Sequence, residues 1–303
     1  MARVSVLLTC YNHLKFLPQA LDSVRAQSYR DFEVLAIDDG STDGTREWLA
    51  QQKEIRTVFN VRNLGTYGSL NEALEHTSGE LVAILNDDDV WLPEKLEKQV
   101  QLLDSDPQVG IVHTGGKFID GEGKETPGNP LGFRFPTFKT GDILLGLVYE
   151  NKIIASAALV RRECFERLGG FDHYYFGSGD WQMWYRIAEA YWAGFVDEPL
   201  TLYRVHGANA SHKLDRIWQD DQRLREWMLT REETLQSRFT PAEVRAAAAF
   251  NWAALGTVQT LNGDPAAGRR AYVESIKRSP LRLKSYLRWL ATYLPREQFK
   301  RTL

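Results

Sequence analysis

Four consecutive polar residues follow a short apolar run at residues 81–85: Asn86, Asp87, Asp88 and Asp89. An apolar run that ends in acids predicts a buried parallel strand, which delivers its carboxylates to the edge where open α/β sheets bind ligands. Adjacent carboxylates repel one another, so we expect a positive group among them, and a hard divalent cation suits this chemistry. The alternative is a solvated acidic turn that caps a helix starting near Pro93.

Acids also occupy two other predicted turns. Asp38 and Asp39 follow an apolar run at residues 32–37 and lead into a turn rich in Gly, Ser and Thr. Asp180 follows an aromatic, glycine-rich loop and precedes a helical segment. On local grounds Asp38 and Asp39 could serve only their turn, and Asp180 could serve only as a helix N-cap.

The elements that must position these acids alternate between strand and helix. Four apolar runs predict buried strands, at residues 4–8, 32–37, 57–60 and 81–85. This cadence implies right-handed crossovers and an α/β fold with a mainly parallel sheet and helices on both faces. Neither Gly-x-x-x-x-Gly-Lys nor Gly-x-Gly-x-x-Gly follows any of these strands, so a metal would have to hold the phosphates of a bound nucleotide.

Beyond these strands the pattern becomes irregular and then purely helical. We expect a helix at residues 141–150 and further strands at 109–113, 154–160 and 200–205. From residue 213 onward only helices are predicted, so the expected domains are an α/β domain, 1–212, and a C-terminal helical region, 213–303. Residues 252–280 partly match one tetratricopeptide repeat, but a plain helical hairpin explains them as well.

Composition excludes several classes of protein. The 303 residues carry 37 Lys and Arg against 40 Asp and Glu, which is not basic enough to suggest nucleic-acid binding. Cys10 and Cys164 lack metal-binding spacing, and we expect them reduced in a cytoplasmic protein. No secretory signal is expected at the start, and no apolar run reaches the length of a bilayer, so membrane contact should be peripheral.

Six motifs in register resemble the inverting nucleotide-sugar glycosyltransferases of family 2, which have the GT-A (Rossmann-like) fold. The resemblance covers residues 2–211. In chain order the motifs are the opening strand at 4–12, the acidic turn at 38–45, Asn63 with Gly65, the Asp-x-Asp-like 86–88, the segment 179–186, and Arg204 with His206.

The resemblance implies a site for a nucleotide-sugar donor, linked to UDP or dTDP. Thr9, Tyr11 and Asp39 would hold the nucleobase and ribose, with Asp39 accepting a hydrogen bond from the base and Tyr11 packing on its face. Asn63 and Gly65 would contribute the adjoining loop of the donor site.

The same resemblance implies the chemistry. Asp87 would contact the ribose or sugar, and Asp88 would bind Mg²⁺ or Mn²⁺ bridging the two phosphates, with His206 as a further ligand. Arg204 would steady the diphosphate, and Asp180 would be the base that deprotonates the acceptor hydroxyl. A single displacement would then invert the anomeric centre in a hexosyltransferase acting on a glycan or lipid-linked glycan, in polysaccharide or glycoconjugate assembly.

The sequence departs from the family pattern at three positions. Asn86 replaces the first acid of Asp-x-Asp, which puts metal contact from that position in doubt but leaves Asp88 in place. Leu70 stands where many relatives have an arginine near the donor. Gly179 replaces the acid before the base.

Two other functional classes compete with this interpretation. A sugar-nucleotide-binding pseudoenzyme would be favoured by the loss of Asp180 or Asp88, and both are present. A nucleotidyltransferase would open on a glycine-rich loop containing arginine, whereas residues 9–12 have neither residue type.

Aromatic residues suggest where an acceptor would bind. The loop at residues 121–139 and a set of aromatic side chains are expected to face the acceptor, although aromatics at helical spacing are as often core. The set is Tyr174, Tyr175, Phe176, Trp181 and Trp184.

The C-terminal tail combines positive charge with apolar residues. Eight cations are opposed by Glu297 alone: Lys277, Arg278, Arg282, Lys284, Arg288, Arg296, Lys300 and Arg301. They alternate with Leu, Tyr, Trp and Phe, which predicts either a helix in a membrane interface or a packed terminal helix with a solvated basic face.

Overall fold

A computed structural model describes residues 2–126 and 135–303, which form two compact units. The first unit comprises Met1–Ile143, Asn151–Tyr175 and Gly179–Asn209, and the second comprises Leu144–Glu150, Phe176–Ser178 and Ala210–Leu303. These units differ from the predicted domains, 1–212 and 213–303, in that two short segments before residue 210 pack with the helices of the second unit.

The first unit contains a nine-stranded sheet within the described residues. Its strands are β1 Val4–Cys10, β2 Phe32–Asp38, β3 Arg56–Phe59, β4 Leu81–Asn86, β5 Val90–Trp91, β6 Val109–Ile119, β7 Glu125–Thr126, β8 Ala158–Arg161 and β9 Trp192–Arg204. Their order is β3-β2-β1-β4-β8-β6-β9-β5, with β7 paired to β6. The four strands from β3 to β4 are parallel, as predicted, whereas β8 runs antiparallel to both of its neighbours, so the sheet as a whole is mixed.

Burial explains why the first strands form. Every residue of β1 and five of the six in β4 are buried, as a parallel sheet covered on both faces requires. Helices connect the strands of this unit: α1 Leu17–Arg25, α2 Thr45–Leu49, α3 Gly65–Glu75, α4 Lys95–Ser105, α6 Arg162–Leu168 and α7 Gly179–Ala188. Leu21 and Val24 of α1 and Leu96 and Val100 of α4 belong to the same core as β1.

The second unit is helical in its described residues. It contains α5 Leu144–Tyr149, α8 Leu214–Leu229, α9 Glu232–Gln236, α10 Pro241–Leu261, α11 Pro265–Arg278, α12 Leu283–Ala291 and α13 Arg296–Lys300. Thr240 and Glu243 form a reciprocal capping box that begins α10. Asp220 of α8 accepts hydrogen bonds from the backbone N–H groups of Phe176, Gly177 and Ser178, which fixes that short segment within this unit.

Three observations bear on other expectations. Among the described residues, none of the helices is both long and apolar enough to cross a bilayer. Cys10 and Cys164 are free and buried. Part of the predicted acceptor loop, residues 127–134, lies outside the described residues.

Candidate active site

The acidic turn lies at the C-terminal edge of the parallel strands. Register pairs Cys10 with Asp38 and Thr9 with Asn86, so β1, β2 and β4 end side by side. The Thr9 hydroxyl donates to the side-chain oxygen of Asn86 across 3.2 Å. The predicted convergence of polar strand ends is therefore what the fold produces.

Asp87 is buried and held by the loop that follows β1. One oxygen accepts a hydrogen bond from the Tyr11 backbone N–H (2.8 Å), and the other lies 2.8 Å from Nδ1 of His13. Burial raises the pKa of Asp87, and the neighbouring charge of Asp88 raises it further, against the lowering effect of His13. Burial by itself lowers the pKa of His13, but the hydrogen bond and charge of Asp87 outweigh it and leave the pKa raised.

Asp88 faces the chain segment that follows β9. Its Oδ2 lies 3.0 Å from Nε2 of His206 and accepts a 3.3 Å hydrogen bond from the Asn209 amide. One potential ligand atom each from His13, Asp88 and His206 lies within 4.8 Å of the other two. Imidazole nitrogens bind first-row transition ions and a carboxylate oxygen suits Mn²⁺, so these residues fit a divalent metal centre.

Arg204 and Asp89 fix the acidic turn at residues 86–89 through hydrogen bonds. The buried guanidinium of Arg204 donates to the backbone carbonyls of Asp88 (2.8 Å) and Asp120 (2.9 Å) and to the side chain of Gln19. Asp89 accepts hydrogen bonds from the Arg204 backbone N–H and the Ser156 hydroxyl, and burial holds the pKa of Asp89 well above its usual range. Arg204 thus contacts the turn itself, and its role toward a diphosphate stays a prediction.

This arrangement bears on the alternative of a simple helix cap. The residue at the N-cap position of α4 is Glu94, which makes no side-chain capping bond. The three carboxylates of the turn instead bond to groups from the β1 loop, from Ser156 and from the end of β9. A capping role does not account for them.

The two acids after β2 have different partners. Asp38 serves its own turn, since it accepts from the Ser41 backbone N–H and pairs with Arg46. Asp39 reaches the start of α3, where it accepts hydrogen bonds from the backbone N–H groups of Leu64 (2.7 Å) and Gly65 (2.9 Å).

The Asp39 carboxylate keeps spare capacity. It also accepts a 3.0 Å bond from the Asn60 amide, which leaves one of its roughly four acceptor positions open. Asn63 accepts from the Gly65 N–H, and Gly65 has φ +77°, a conformation that favours glycine. The loop that contains Asn63 therefore adjoins an acid that can still accept a hydrogen bond, while Tyr11, which follows β1, is exposed.

Asp180 is the second residue of α7 and is partly buried. Its oxygens accept hydrogen bonds from the Tyr67 hydroxyl and the Asn151 amide, each across 3.3 Å, and from the Trp181 backbone N–H. An N-cap would accept from the second or third N–H of the helix, so this is not that geometry. Burial raises the pKa of Asp180 to about 6, although the hydrogen bonds act in the opposite direction.

Tyr67 accounts for the glycine at position 179. A Cβ atom on Gly179 would come within 2.7 Å of the Tyr67 ring. An acidic side chain there would therefore collide with the tyrosine that donates to Asp180. Asn71, one turn along α3, holds the Phe171 backbone through two 2.8 Å bonds, and the Phe171 ring stacks on Tyr67.

The aromatic residues that were expected to face the acceptor differ in burial. Trp184 and Tyr175 are buried, with the Trp184 indole N–H donating to the Ile153 carbonyl, so these two are core residues. Tyr174 is 72% exposed. Leu70, one of the three departures from the expected family pattern, is buried on α3.

Sequence reasoning missed several residues of the site: His13, Tyr67, Asn151 and Asn209. His13 could have been found from its place in the polar end of β1, two residues after Tyr11. Asn209 could have been found from its place in the loop after His206. Tyr67 and Asn151 carry no such signal, because only the tertiary fold brings them to Asp180.

Comparison with protein families gives a match over the N-terminal half of the chain. Residues 5–169 match the model described as glycosyl transferase family 2. An uncharacterized glycosyltransferase of Nostoc is 30% identical over 229 residues, covering 68% of this chain and 66% of that protein. One from Methanocaldococcus jannaschii is 30% identical over 224 residues, covering 71% and 74%. The match thus spans about two thirds of the length of the Nostoc relative.

Solved structures share the fold at lower identity. TarS 1-349 from S. aureus superposes with a TM-score of 0.65 at 16% identity, covering 99% of this chain and 88% of that one. The mannosyltransferase PcManGT from Pyrobaculum calidifontis, in complex with GDP-Man and Mn²⁺, gives 0.61 at 23% identity, covering 99% and 84%. TarS 1-349 in complex with UDP-GlcNAc gives 0.63 at 14%, covering 92% of each chain.

Proposed function

Since the chain belongs to glycosyl transferase family 2, we propose that it is a metal-dependent, inverting hexosyltransferase. It moves a sugar from a nucleoside diphosphate, UDP or dTDP, to the hydroxyl of a glycan or lipid-linked glycan. Its role is polysaccharide or glycoconjugate assembly in the cytoplasm. Two buried, free cysteines are consistent with that compartment.

The environment of Asp180 carries the proposal. A general base works best when its pKa lies near the operating pH, and the pKa of Asp180 is about 6. Tyr67 and Asn151 hold the carboxylate in a fixed orientation. Asp180 takes the proton of the acceptor hydroxyl as that oxygen bonds to the anomeric carbon and the bond to the diphosphate breaks, which inverts the centre. A pseudoenzyme would be favoured by the loss of Asp180, which is present and oriented by two side chains.

The sheet edge supports donor binding. Asp39 accepts the nucleobase N–H with its open acceptor position, while Thr9, Tyr11, Asn63 and Gly65 surround the base and ribose. Asp87 contacts the ribose or sugar. This arrangement leaves the diphosphate beside Asp88 and His206.

Those two residues would hold Mg²⁺ or Mn²⁺ against the diphosphate. The bound ion would supply positive charge that neutralises the leaving group, an electrostatic contribution that is commonly large. Arg204 steadies this end of the site by fixing the acidic turn through the Asp88 carbonyl.

A panel of nucleotide sugars tests the proposed function. UDP-, dTDP- and GDP-linked sugars are each added with Mn²⁺, and thermal unfolding, donor hydrolysis and the anomeric configuration of the product are measured. GDP-Man is included because the neighbour PcManGT was solved with it. A ligand at 100 times its Kd stabilises the folded state by about 2.7 kcal/mol, so a true donor raises the unfolding temperature clearly.

The expected result is stabilisation and turnover with one nucleotide class and an inverted product by NMR. The matched control is the corresponding sugar phosphate without a nucleoside. Stabilisation without turnover would favour a sugar-nucleotide-binding protein, and a product of retained configuration would contradict single displacement.

We further propose weak peripheral binding of the C-terminal tail to anionic membranes. Four leucines, spaced four, three and four residues apart, lie exposed along one face of α12 and just beyond it: Leu283, Leu287, Leu290 and Leu294. The alternative of a packed helix with a solvated basic face does not explain why these four leucines are exposed as well. An apolar stripe beside cations suits a lipid interface.

The cations of the tail contribute less to membrane binding than their number suggests, because several form ion pairs. Arg296 pairs with Asp215, and Lys300 pairs with Glu297. Lys277 and Arg278 share Glu274. Since a free cation near an anionic surface contributes about 1 kcal/mol, we expect binding to be weak and salt-sensitive and to require the leucines as well.

Vesicle co-sedimentation tests the tail. The full chain should sediment with anionic phosphatidylglycerol vesicles at low salt but much less with neutral phosphatidylcholine or at high salt. Leu287→Asp combined with Leu290→Asp should abolish sedimentation. The matched control is Val61→Asp, which alters a fully exposed apolar residue of the first unit and should have no effect. Equal sedimentation of the double variant and the native chain would show that the exposed leucines do not bind the membrane.

A further inference from the structure

His13 lies beside the expected metal ligands although the family motifs do not include it. It belongs to the loop after β1, whereas Asp88 follows β4 and His206 follows β9. These three segments bring one potential ligand atom from each residue to within 4.8 Å of the others. The two imidazole rings meet edge to face with centroids 5.0 Å apart.

Asp87 prepares His13 for metal binding. The carboxylate lies 2.8 Å from Nδ1 of His13, a bond in which Nδ1 carries the proton and donates. The neutral ring then has its lone pair on Nε2, which is the nitrogen that can bind a cation. A carboxylate behind a histidine in this way fixes the tautomer and ring orientation and raises the basicity of metal-bound imidazoles.

The neutral His206 ring, unlike that of His13, carries its proton on the nitrogen that would bind the cation. Its Nδ1 accepts a 3.3 Å hydrogen bond from the Ala208 backbone N–H, so the neutral ring carries its proton on Nε2, facing Asp88. Binding a cation through Nε2 therefore requires that weak bond to break. His13 needs no such change.

We propose that His13 is a third protein ligand of the divalent cation, beside Asp88 and His206, and that Asp87 orients it. This inference rests on the proposed metal dependence of the transferase. Two imidazoles and one carboxylate make a ligand set suited to Mn²⁺ and later transition ions, whereas Mg²⁺ prefers oxygen ligands and retains its water. The site therefore selects Mn²⁺ over Mg²⁺.

The competing explanation is that His13 only supports Asp87. Its ring also lies near Phe16, with centroids 6.2 Å apart, so a packing role is available to it. The two explanations differ in what happens without a nucleotide. A site with three protein ligands binds Mn²⁺ by itself, but one with only Asp88 and His206 depends on the phosphates of the donor.

Binding of Mn²⁺ alone, followed by electron paramagnetic resonance on the full chain, tests the proposal. The native protein should bind Mn²⁺ without nucleotide, and electron spin echo modulation should report two coupled histidine nitrogens. His13→Gln should weaken binding by roughly 10- to 100-fold and leave one coupled nitrogen, and Asp87→Asn should weaken it by roughly tenfold. Mg²⁺ should displace Mn²⁺ only at large excess.

The matched control is His76→Gln, which changes an exposed histidine at the end of α3 and should bind Mn²⁺ like the native chain. No binding of Mn²⁺ without nucleotide, unchanged affinity in His13→Gln, or equal affinity for Mg²⁺ would each overturn the proposal. Because no sugar donor is present, these outcomes are independent of the donor panel. A protein that binds Mn²⁺ through His13 but turns over no nucleotide sugar would contradict the proposed function alone.

Discussion

Asp180→Asn is expected to lower the transfer rate by roughly 10²- to 10⁴-fold, the usual contribution of general base catalysis, with little change in donor binding. Asparagine has nearly the same shape and can still accept from Tyr67 and the Trp181 N–H, but it cannot take a proton. The measurement is kcat with saturating donor and acceptor, together with the affinity for the nucleoside diphosphate. Near-normal turnover would show that another group is the base.

Stability offers a control on this variant. The pKa of Asp180 is raised from its ordinary value to about 6, so the charged carboxylate is disfavoured in the folded state. A raised carboxyl pKa destabilises the folded state once the pH exceeds the pKa of the unfolded chain, the reverse of an ion-paired aspartate. At neutral pH Asp180→Asn should therefore unfold at a temperature no lower than that of the native chain. Lost activity with a lower unfolding temperature would indicate damage to the fold.

The pKa of Asp180 also determines how kcat depends on pH. The base must be ionised, so kcat should fall as the pH drops through about 6. Tyr67→Phe keeps the ring that fills the space beside Gly179 but removes one hydrogen bond that favours the carboxylate, so the midpoint should move to higher pH. Tyr272→Phe, which removes a tyrosine hydrogen bond to Thr257 in the second unit, should leave the midpoint unchanged.

Sequence periodicity was sufficient for strands that are buried on both faces. The apolar runs at residues 4–8 and 81–85 correspond to β1 and β4, where burial is nearly continuous. Sequence periodicity was insufficient for β9, which spans Trp192–Arg204 but was expected only from residue 200. Asp197, Glu198 and Pro199 interrupt its pattern, and its pairing with β6 slips at Thr114 and Gly115. Such a strand owes its form to its neighbour rather than to its own sequence.

The candidate site likewise has a part that the sequence could predict and a part that it could not. Acids directly after parallel strands could be predicted to converge, because such strands end at one edge of the sheet. His13 and Asp87 are 74 residues apart, and Tyr67 and Asp180 are 113 apart. No local pattern encodes either contact. Position 179 was seen from sequence as a missing acid, whereas the structure explains its glycine by the tyrosine ring beside it.

Asp88→Ala is expected to weaken binding of a nucleoside diphosphate by roughly 10²-fold and to abolish its dependence on Mn²⁺ or Mg²⁺. Removing one partner of a desolvated charge contact commonly lowers affinity by about 2 to 5 kcal/mol, and 1.4 kcal/mol corresponds to tenfold. Asp88 is buried, contacts His206 and Asn209, and supplies the carboxylate oxygen that lies within 4.8 Å of a nitrogen of both His13 and His206. Titration calorimetry with UDP, with and without metal, measures both effects.

Asn86→Ala is the matched control, because Asn86 lies at the same strand end but bonds to Thr9 rather than to the histidines. It should retain most of the metal dependence. A large loss in Asn86→Ala together with a small one in Asp88→Ala would move the metal to the first position of the motif. Equal affinity of the native chain for UDP with and without metal would remove the cation from donor binding altogether. Intact metal dependence in Asp88→Ala would mean that His13 and His206 hold the ion without the carboxylate, an arrangement in which the acidic turn serves the ribose instead.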